Sequence, residues 1–199
     1  MLKNDKWIIE QAKTNGMIHP FVGSLISVDS EFPGIFGNVL SYGVSSFGYD
    51  LRLSAKSFRI FQHVPGTVMN PKAFNEENLR DVVLREDEYG EYFILPAHSY
   101  GLGVAVERLT IPRSITVVCI GKSTYARMGI ILNVTPAESE WSGHLTLEFS
   151  NSSGADCRLY ANEGVCQALF FEGEDCLTSY GDRSGKYQGQ EESVVTARV

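Results

Sequence analysis

His144-Leu145-Thr146-Leu147-Glu148-Phe149-Ser150-Asn151 alternates polar and apolar side chains from His144 through Ser150. A period of two belongs to a β-strand, whose successive side chains leave opposite faces. Leu145, Leu147 and Phe149 therefore share one face, and His144, Thr146, Glu148 and Ser150 the other. Stretches of similar character recur along the chain: Tyr49 to Leu53, Phe58 to Phe61, Tyr92 to Leu95, Gly101 to Glu107, Ile115 to Ile120, Ile130 to Val134 and Val165 to Phe171. They are rich in β-branched and aromatic residues and are separated by Gly, Pro, Asn and Ser. This rhythm predicts an all-β fold, and so many short strands favour a barrel or jelly roll over an open sheet, because closure removes unpaired edges. One helix is expected, near the start. Asn4 or Asp5 can cap a segment running through Trp7, Ile8, Ile9 and Ala12, and Gly16 can stop it.

With 199 residues and 43% hydrophobic side chains, the chain can bury one sizeable core, and one domain over residues 1–199 is expected. A formal net charge of −7 disfavours binding to a nucleic acid polymer by phosphate neutralisation, yet is compatible with a small anionic ligand held by local cations. No apolar run approaches the ~20 residues that span a bilayer, and Met1-Leu2-Lys3-Asn4-Asp5-Lys6-Trp7 has no signal-peptide core behind it. No membrane association and a cytoplasmic location are expected. Cys119, Cys157, Cys166 and Cys176 include no Cys-x-x-Cys pair and read as free thiols rather than a disulfide framework or a zinc site. The charged stretch Asn75 to Tyr89 reads as a surface excursion with a helical turn. Gly181 to Val199 has too few large aliphatic residues for a core of its own, so it is a frayed end or a tail that orders over something.

Four places carry candidate chemistry. Gly121-Lys122-Ser123-Thr124-Tyr125-Ala126-Arg127 follows an apolar strand and offers backbone N–H groups, hydroxyls and two cations, a set suited to phosphate oxygens. From composition alone a solvated turn is the commoner reading, and Thr116 breaks the P-loop spacing. Glu148 faces solvent in an ordinary sandwich, whereas in a barrel or an oligomer it can line a cavity as a partly desolvated general base. Gln167, in an otherwise apolar run, is a structural bridge or a ligand contact. The tail brings Tyr180, Arg183, Lys186, Tyr187 and Gln190 among glycines. The histidines, His19, His63, His98 and His144, show no metal-ligand spacing.

Taken together, Ser45-Ser46-Phe47-Gly48-Tyr49-Asp50-Leu51-Arg52, Gly121 to Arg127, Asn133-Val134-Thr135, Trp141-Ser142-Gly143, Thr146 to Asn151 and Gly185-Lys186-Tyr187-Gln188-Gly189-Gln190 resemble the dCTP deaminase family of the dCTP deaminase/dUTPase superfamily. The likeness extends over nearly the whole chain. It implies a distorted dUTPase-type β-barrel with a short N-terminal helix, a homotrimer with sites between subunits, and residues 181–199 closing over bound nucleotide. It implies hydrolysis of dCTP to dUTP and ammonia without zinc, with Mg²⁺ accompanying the triphosphate. By the same resemblance Glu148, Ser123 and Arg127 are catalytic. Lys122, Ser123, Thr124, Tyr125, Ala126, Arg127, Glu138, Thr146, Leu147, Glu148, Gln167, Tyr180, Lys186 and Gln190 contact substrate. The ligands implied are dCTP and dUTP, with dTTP added as an inhibitor on the strength of some relatives.

Two departures stand out. Thr135 to Trp141 is shorter than in some deaminases, and Glu138 occupies a place where relatives carry aspartate, the acid that in dUTPases activates water toward the α-phosphate. Pro136 has no N–H with which to read a base. The alternative readings are a dUTP diphosphatase, a bifunctional enzyme, or a non-catalytic nucleotide-binding barrel.

Overall fold

Asn4 accepts a hydrogen bond from the Trp7 amide and Gly16 takes the left-handed backbone (φ 64°), so the first helix, α1 (Asp5–Asn15), starts and stops at its capping residues. It buries Ile8 and sets Trp7 against Phe170, with ring centroids 6.2 Å apart. The computed structural model describes residues 1–28 and 38–198; residues 29–37 of the expected domain and Val199 of the expected tail lie outside the described residues. After α1 come β1 (Ile18–His19), β2 (Ile26–Val28), β3 (Asn38–Ser45) and β4 (Gly48–Phe61). A 3₁₀ turn (Glu76–Asn78) leads to β5 (Leu79–Asp81), β6 (Arg85–Asp87), β7 (Gly90–Leu95), β8 (Tyr100–Thr110) and β9 (Ile115–Gly121). A short helix, α2 (Ser123–Ala126), precedes β10 (Ile130–Asn133), β11 (Ser142–Asn151), β12 (Cys157–Tyr160) and β13 (Gly164–Glu172).

The main sheet runs β10-β11-β8-β4-β13-β9; β1 joins β8, β3 and β5 join β4, and β2 joins β3. A smaller sheet, β12-β7-β6, completes the fold. The ends of the long path return to one another, since a methyl group on Gly121 of β9 would sit 3.4 Å from the Leu132 side chain of β10. The sheet thus curls into a distorted barrel whose last seam carries no ladder among the described residues. Both sheets drain into one core, in which Phe58 stacks on Phe93 (5.1 Å) and tilts against Phe149 (5.7 Å).

Three expectations change. Tyr49–Leu53 and Phe58–Phe61 are one strand, β4, whose register against β8 shifts between Leu53 and Phe58; the polar stretch Ser54–Ser57 marks the irregularity rather than a turn. The charged stretch Asn75–Tyr89 is more than a surface excursion, because Asn78 and Leu79 are buried, Leu79 opposite Phe61, and two short strands follow. Strands β3 and β12 were not legible as alternating apolar runs. No helix among the described residues is long and apolar enough to cross a membrane.

Candidate active site

Strand β11 keeps the alternation its sequence announces: Leu145, Leu147 and Phe149 are buried and the residues between them only partly so. Thr146 and Glu148 border a cavity of about 730 Å³. Val134 to Glu138 and Trp141 form one wall, and Phe61, Phe74, Tyr100 and Leu102 form an apolar second. There the Phe61 ring meets Tyr100 edge-on at 5.4 Å and Phe74 at 6.1 Å. The chain's own tail supplies the third wall through Tyr180, Lys186, Tyr187, Gln190 and Val195 to Ala197.

Glu148 stands opposite Asn133 in the β10–β11 ladder, and Asn133 Nδ2 donates to Glu148 Oε2 at 3.0 Å. Burial pushes the Glu148 carboxyl above its ordinary range, and the Asn133 bond, which favours the charged form, offsets part of that rise. The Tyr100 phenol is pushed up as well, first by burial and then by the negative charge of Glu148.

The tail is fastened at several points. Trp141 Nε1 donates to Tyr187 O at 2.9 Å, the Tyr187 amide donates to Tyr180 Oη at 3.0 Å, and Gln190 Nε2 donates to Thr146 Oγ1. The backbone adds Gly189 N to Ser142 O at 2.8 Å and His144 N to Gln190 O at 2.9 Å. Gly143 makes the close approach possible: its φ is 147°, and a Cβ there would lie 2.7 Å from the Gln190 nitrogen. At the root of the tail Arg183 pairs with Glu138, and Arg113 bridges Glu140 (2.8 Å) and Asp182 (2.9 Å). Farther along, Glu192 binds Lys56 and Ser54, and Lys186 Nζ donates to Arg198 O at 2.6 Å.

Glu138, Thr146, Glu148, Tyr180, Lys186 and Gln190 therefore meet at one cavity within a single chain. The other expected site residues lie elsewhere. Lys122 reaches beneath the turn to the buried Asp50 carboxylate and to Ser41 Oγ (2.9 Å), and its cation is spent on that pair. Burial still outweighs the nearby ammonium and keeps the Asp50 carboxyl above its usual value. Tyr125 is buried, its hydroxyl accepting from the Tyr160 amide at 2.9 Å, so it is a core residue on the inner side of α2. Ser123, Thr124, Ala126 and Arg127 are exposed, and Arg127 Nη1 donates to Ser123 O at 3.1 Å. Leu147 lies in the core because its strand turns it inward. Gln167, opposite Asp50, donates from Nε2 to Ser45 Oγ at 2.7 Å and bridges strands outside the cavity. All four cysteines are free, and the described residues contain no cluster of three His, Cys, Asp or Glu side chains suited to a metal ion. Sequence reasoning missed Asn133 as the partner of Glu148, and Phe61, Phe74 and Tyr100 as walls of its cavity, since nothing local in the chain announces a contact that depends on strand register.

A family model described as dCTP deaminase-like matches residues 33–173. Among curated proteins, a dCTP deaminase of Azoarcus sp. (strain BH72) is 49% identical over 190 residues, 95% of each chain. A dCTP deaminase of Alcanivorax borkumensis is 48% identical over 190 residues, again 95% of each chain. The solved 2'-deoxycytidine 5'-triphosphate deaminase from Agrobacterium tumefaciens superposes with a TM-score of 0.55 at 15% identity, covering 89% of this chain and 49% of that one. The present chain thus spans about half the length of that structure, and the likeness is one of fold. Curled sheet and neighbour together define the class as all-β, with the fold seen in that deaminase. The chain belongs to the dCTP deaminase family.

Proposed function

We propose that this chain hydrolyses the exocyclic amine of dCTP to give dUTP and ammonia, with Glu148 accepting and returning the protons. The observation that carries the reading is a half-buried carboxylate at a cavity walled by aromatic residues and by the chain's own tail. Water is a poor nucleophile toward C4 of cytosine. Glu148 takes a proton from the attacking water as the C4–O bond forms and passes it to N3; it then takes the remaining proton from the new C4 hydroxyl and hands it to the amine, which leaves as ammonia as the C4–N bond breaks and the C4 carbonyl forms. Burial raises the basicity of the carboxylate toward working pH, and docking of the tail over the cavity keeps bulk water away.

Thr146, Gln190, Tyr180 and Lys186 line the same space and suit the sugar and phosphates of a nucleotide. Ser123 and Arg127 are exposed and lie outside the cavity of their own chain, which supports sites completed between copies in a homotrimer, one copy lending its α2 segment to the cavity of the next. In this reading Arg127 steadies charge and Ser123 holds the water or the amine. Mg²⁺ accompanies the triphosphate and is held by phosphate oxygens; no cluster of three metal-binding side chains waits for it among the described residues. The free thiols suit a reducing cytoplasm, where such an enzyme would serve pyrimidine deoxynucleotide supply, and dTTP is the candidate inhibitor.

Glu148→Gln tests the centre of the reading. Turnover is expected to fall by about three orders of magnitude, the scale of general acid–base catalysis, while calorimetry still detects nucleotide binding. Unchanged turnover would remove Glu148 from the chemistry. A second acid, Glu138, borders the cavity and is paired with Arg183, which keeps a diphosphatase reading in play. Product analysis separates the readings: ammonia with dUTP from a deaminase, ammonia with dUMP and pyrophosphate from a bifunctional enzyme, and dUMP with pyrophosphate from dUTP but no ammonia from dCTP for a diphosphatase.

A further inference from the structure

We propose that Asn133 is a positioning residue for Glu148, tethering one carboxylate oxygen so that the other is presented to the substrate. The inference rests on the deaminase reading and adds a residue to it. Asn133 is the last residue of β10, and the chain leaves it directly into Val134 to Glu138, the wall of the cavity. Its place opposite Glu148 is fixed by the pairs before it, Ile130 with Asn151, Ile131 with Ser150 and Leu132 with the fully buried Phe149. The amide then spans the ladder to Glu148 Oε2 at 3.0 Å, and no other side chain among the described residues hydrogen-bonds that carboxylate.

A carboxylate free to turn about its last bond offers its lone pairs in many directions, and most are useless for taking a proton from a water poised over C4. One fixed oxygen removes that freedom before substrate arrives. An amide suits the task because it donates at every working pH and never competes for the proton. The other titratable groups on the cavity are Tyr100 from β8, Glu138 with its partner Arg183, and Tyr180, Lys186 and Tyr187 from the tail. None of these hydrogen-bonds Glu148, whereas Asn133 does, so the loss of Asn133 is legible in the pH profile.

The test is the pH dependence of dCTP deamination by Asn133→Ala. Without the amide, the buried carboxylate loses the contact that favours its charged form. The acidic limb of kcat/KM is expected to move up by about one pH unit, with kcat on the plateau down about tenfold and KM within about threefold of the parent. Asn133→Asp places a second acid beside Glu148 and moves the limb further up. Asn133 is exposed, and thermal melting verifies folding. Should Asn133→Ala not fold, Asn133→Ser, whose hydroxyl is too short to span the ladder, carries the same expectation. In a Glu148→Gln background, Asn133→Ala should change nothing further. An unmoved limb with parental kcat in the folded variant overturns the role given to Asn133. Full turnover by Glu148→Gln would instead overturn the reading beneath it.

Discussion

Gly143→Ala should undock the tail while leaving the barrel intact. The added Cβ would lie 2.7 Å from Gln190 N, 3.0 Å from Gln190 O and 3.1 Å from Gln190 Cβ, and the residue would keep an unfavourable φ of 147°. Strand β11 cannot retreat, because Gly143 is paired with the fully buried Leu109 of β8. The tail must therefore move and give up Gly189 N to Ser142 O, His144 N to Gln190 O and Gln190 Nε2 to Thr146 Oγ1. At about 1 kcal/mol for each bond the docked state loses about 3 kcal/mol, roughly a hundredfold in the docking equilibrium. Trypsin cleavage at Arg183 and Lys186 should accelerate, and KM for dCTP should rise by a factor of ten or more, with little change in Tm. A folded variant with parental cleavage rate and parental KM would refute the reasoning. So would a Gly143→Ala effect of equal size in a chain already truncated after Tyr180.

Truncation after Tyr180 removes Lys186, Tyr187 and Gln190 from the cavity and should raise KM or abolish turnover without melting the barrel; full activity in the truncated chain would make the tail incidental. Removing either member of the buried Asp50–Lys122 pair leaves its partner uncompensated, so Asp50→Asn or Lys122→Met should each cost about 3–5 kcal/mol by denaturant titration. The double variant should cost distinctly less than the sum, and strict additivity would show that the pair is not coupled. Glu163 is half-buried and accepts the Leu40 amide at 2.7 Å, yet burial lifts its carboxyl above the ordinary value of 4.5. Folding therefore favours its protonated form: the associated stability is complete below about pH 4.5 and is lost as pH rises through the higher folded value. Glu163→Gln, which stays neutral, should melt above the parent at pH 7.5, with the gap closing below pH 4.5. A gap that widens toward acid would reverse the assignment.

The parts of the fold legible from sequence are those whose signal is local. Asn4 and Gly16 bracket α1 because caps act on adjacent turns, and β11 shows in its alternation because one of its faces meets the core. Strand β12 hid because its four residues, Cys157-Arg158-Leu159-Tyr160, are too few to make a period, and β6 because Arg85-Glu86-Asp87 looks like a solvated run. The candidate site divides in the same way. The outward direction of Glu148 follows from strand geometry, whereas Asn133 becomes its partner only through the β10–β11 register, and Tyr100 and Phe61 meet only because β8 and β4 are neighbours. Lys122 shows the limit most plainly. A lysine in a Gly-Lys-Ser turn invites a phosphate in any sequence reading, and only the fold reveals Asp50 beneath it.

Trp141 is 4% exposed, and its indole N–H is held by a carbonyl that belongs to the tail. The other of the chain's two tryptophans, Trp7, sits beneath Lys3 and beside Phe170 and takes no part in this contact. Any departure of the tail hands the Trp141 ring to solvent and should shift its emission to the red while Trp7 contributes a constant background. The molecule thus carries a built-in fluorophore that would report any opening of the tail, and a stopped-flow trace would time such an opening separately from ammonia release without attaching a dye.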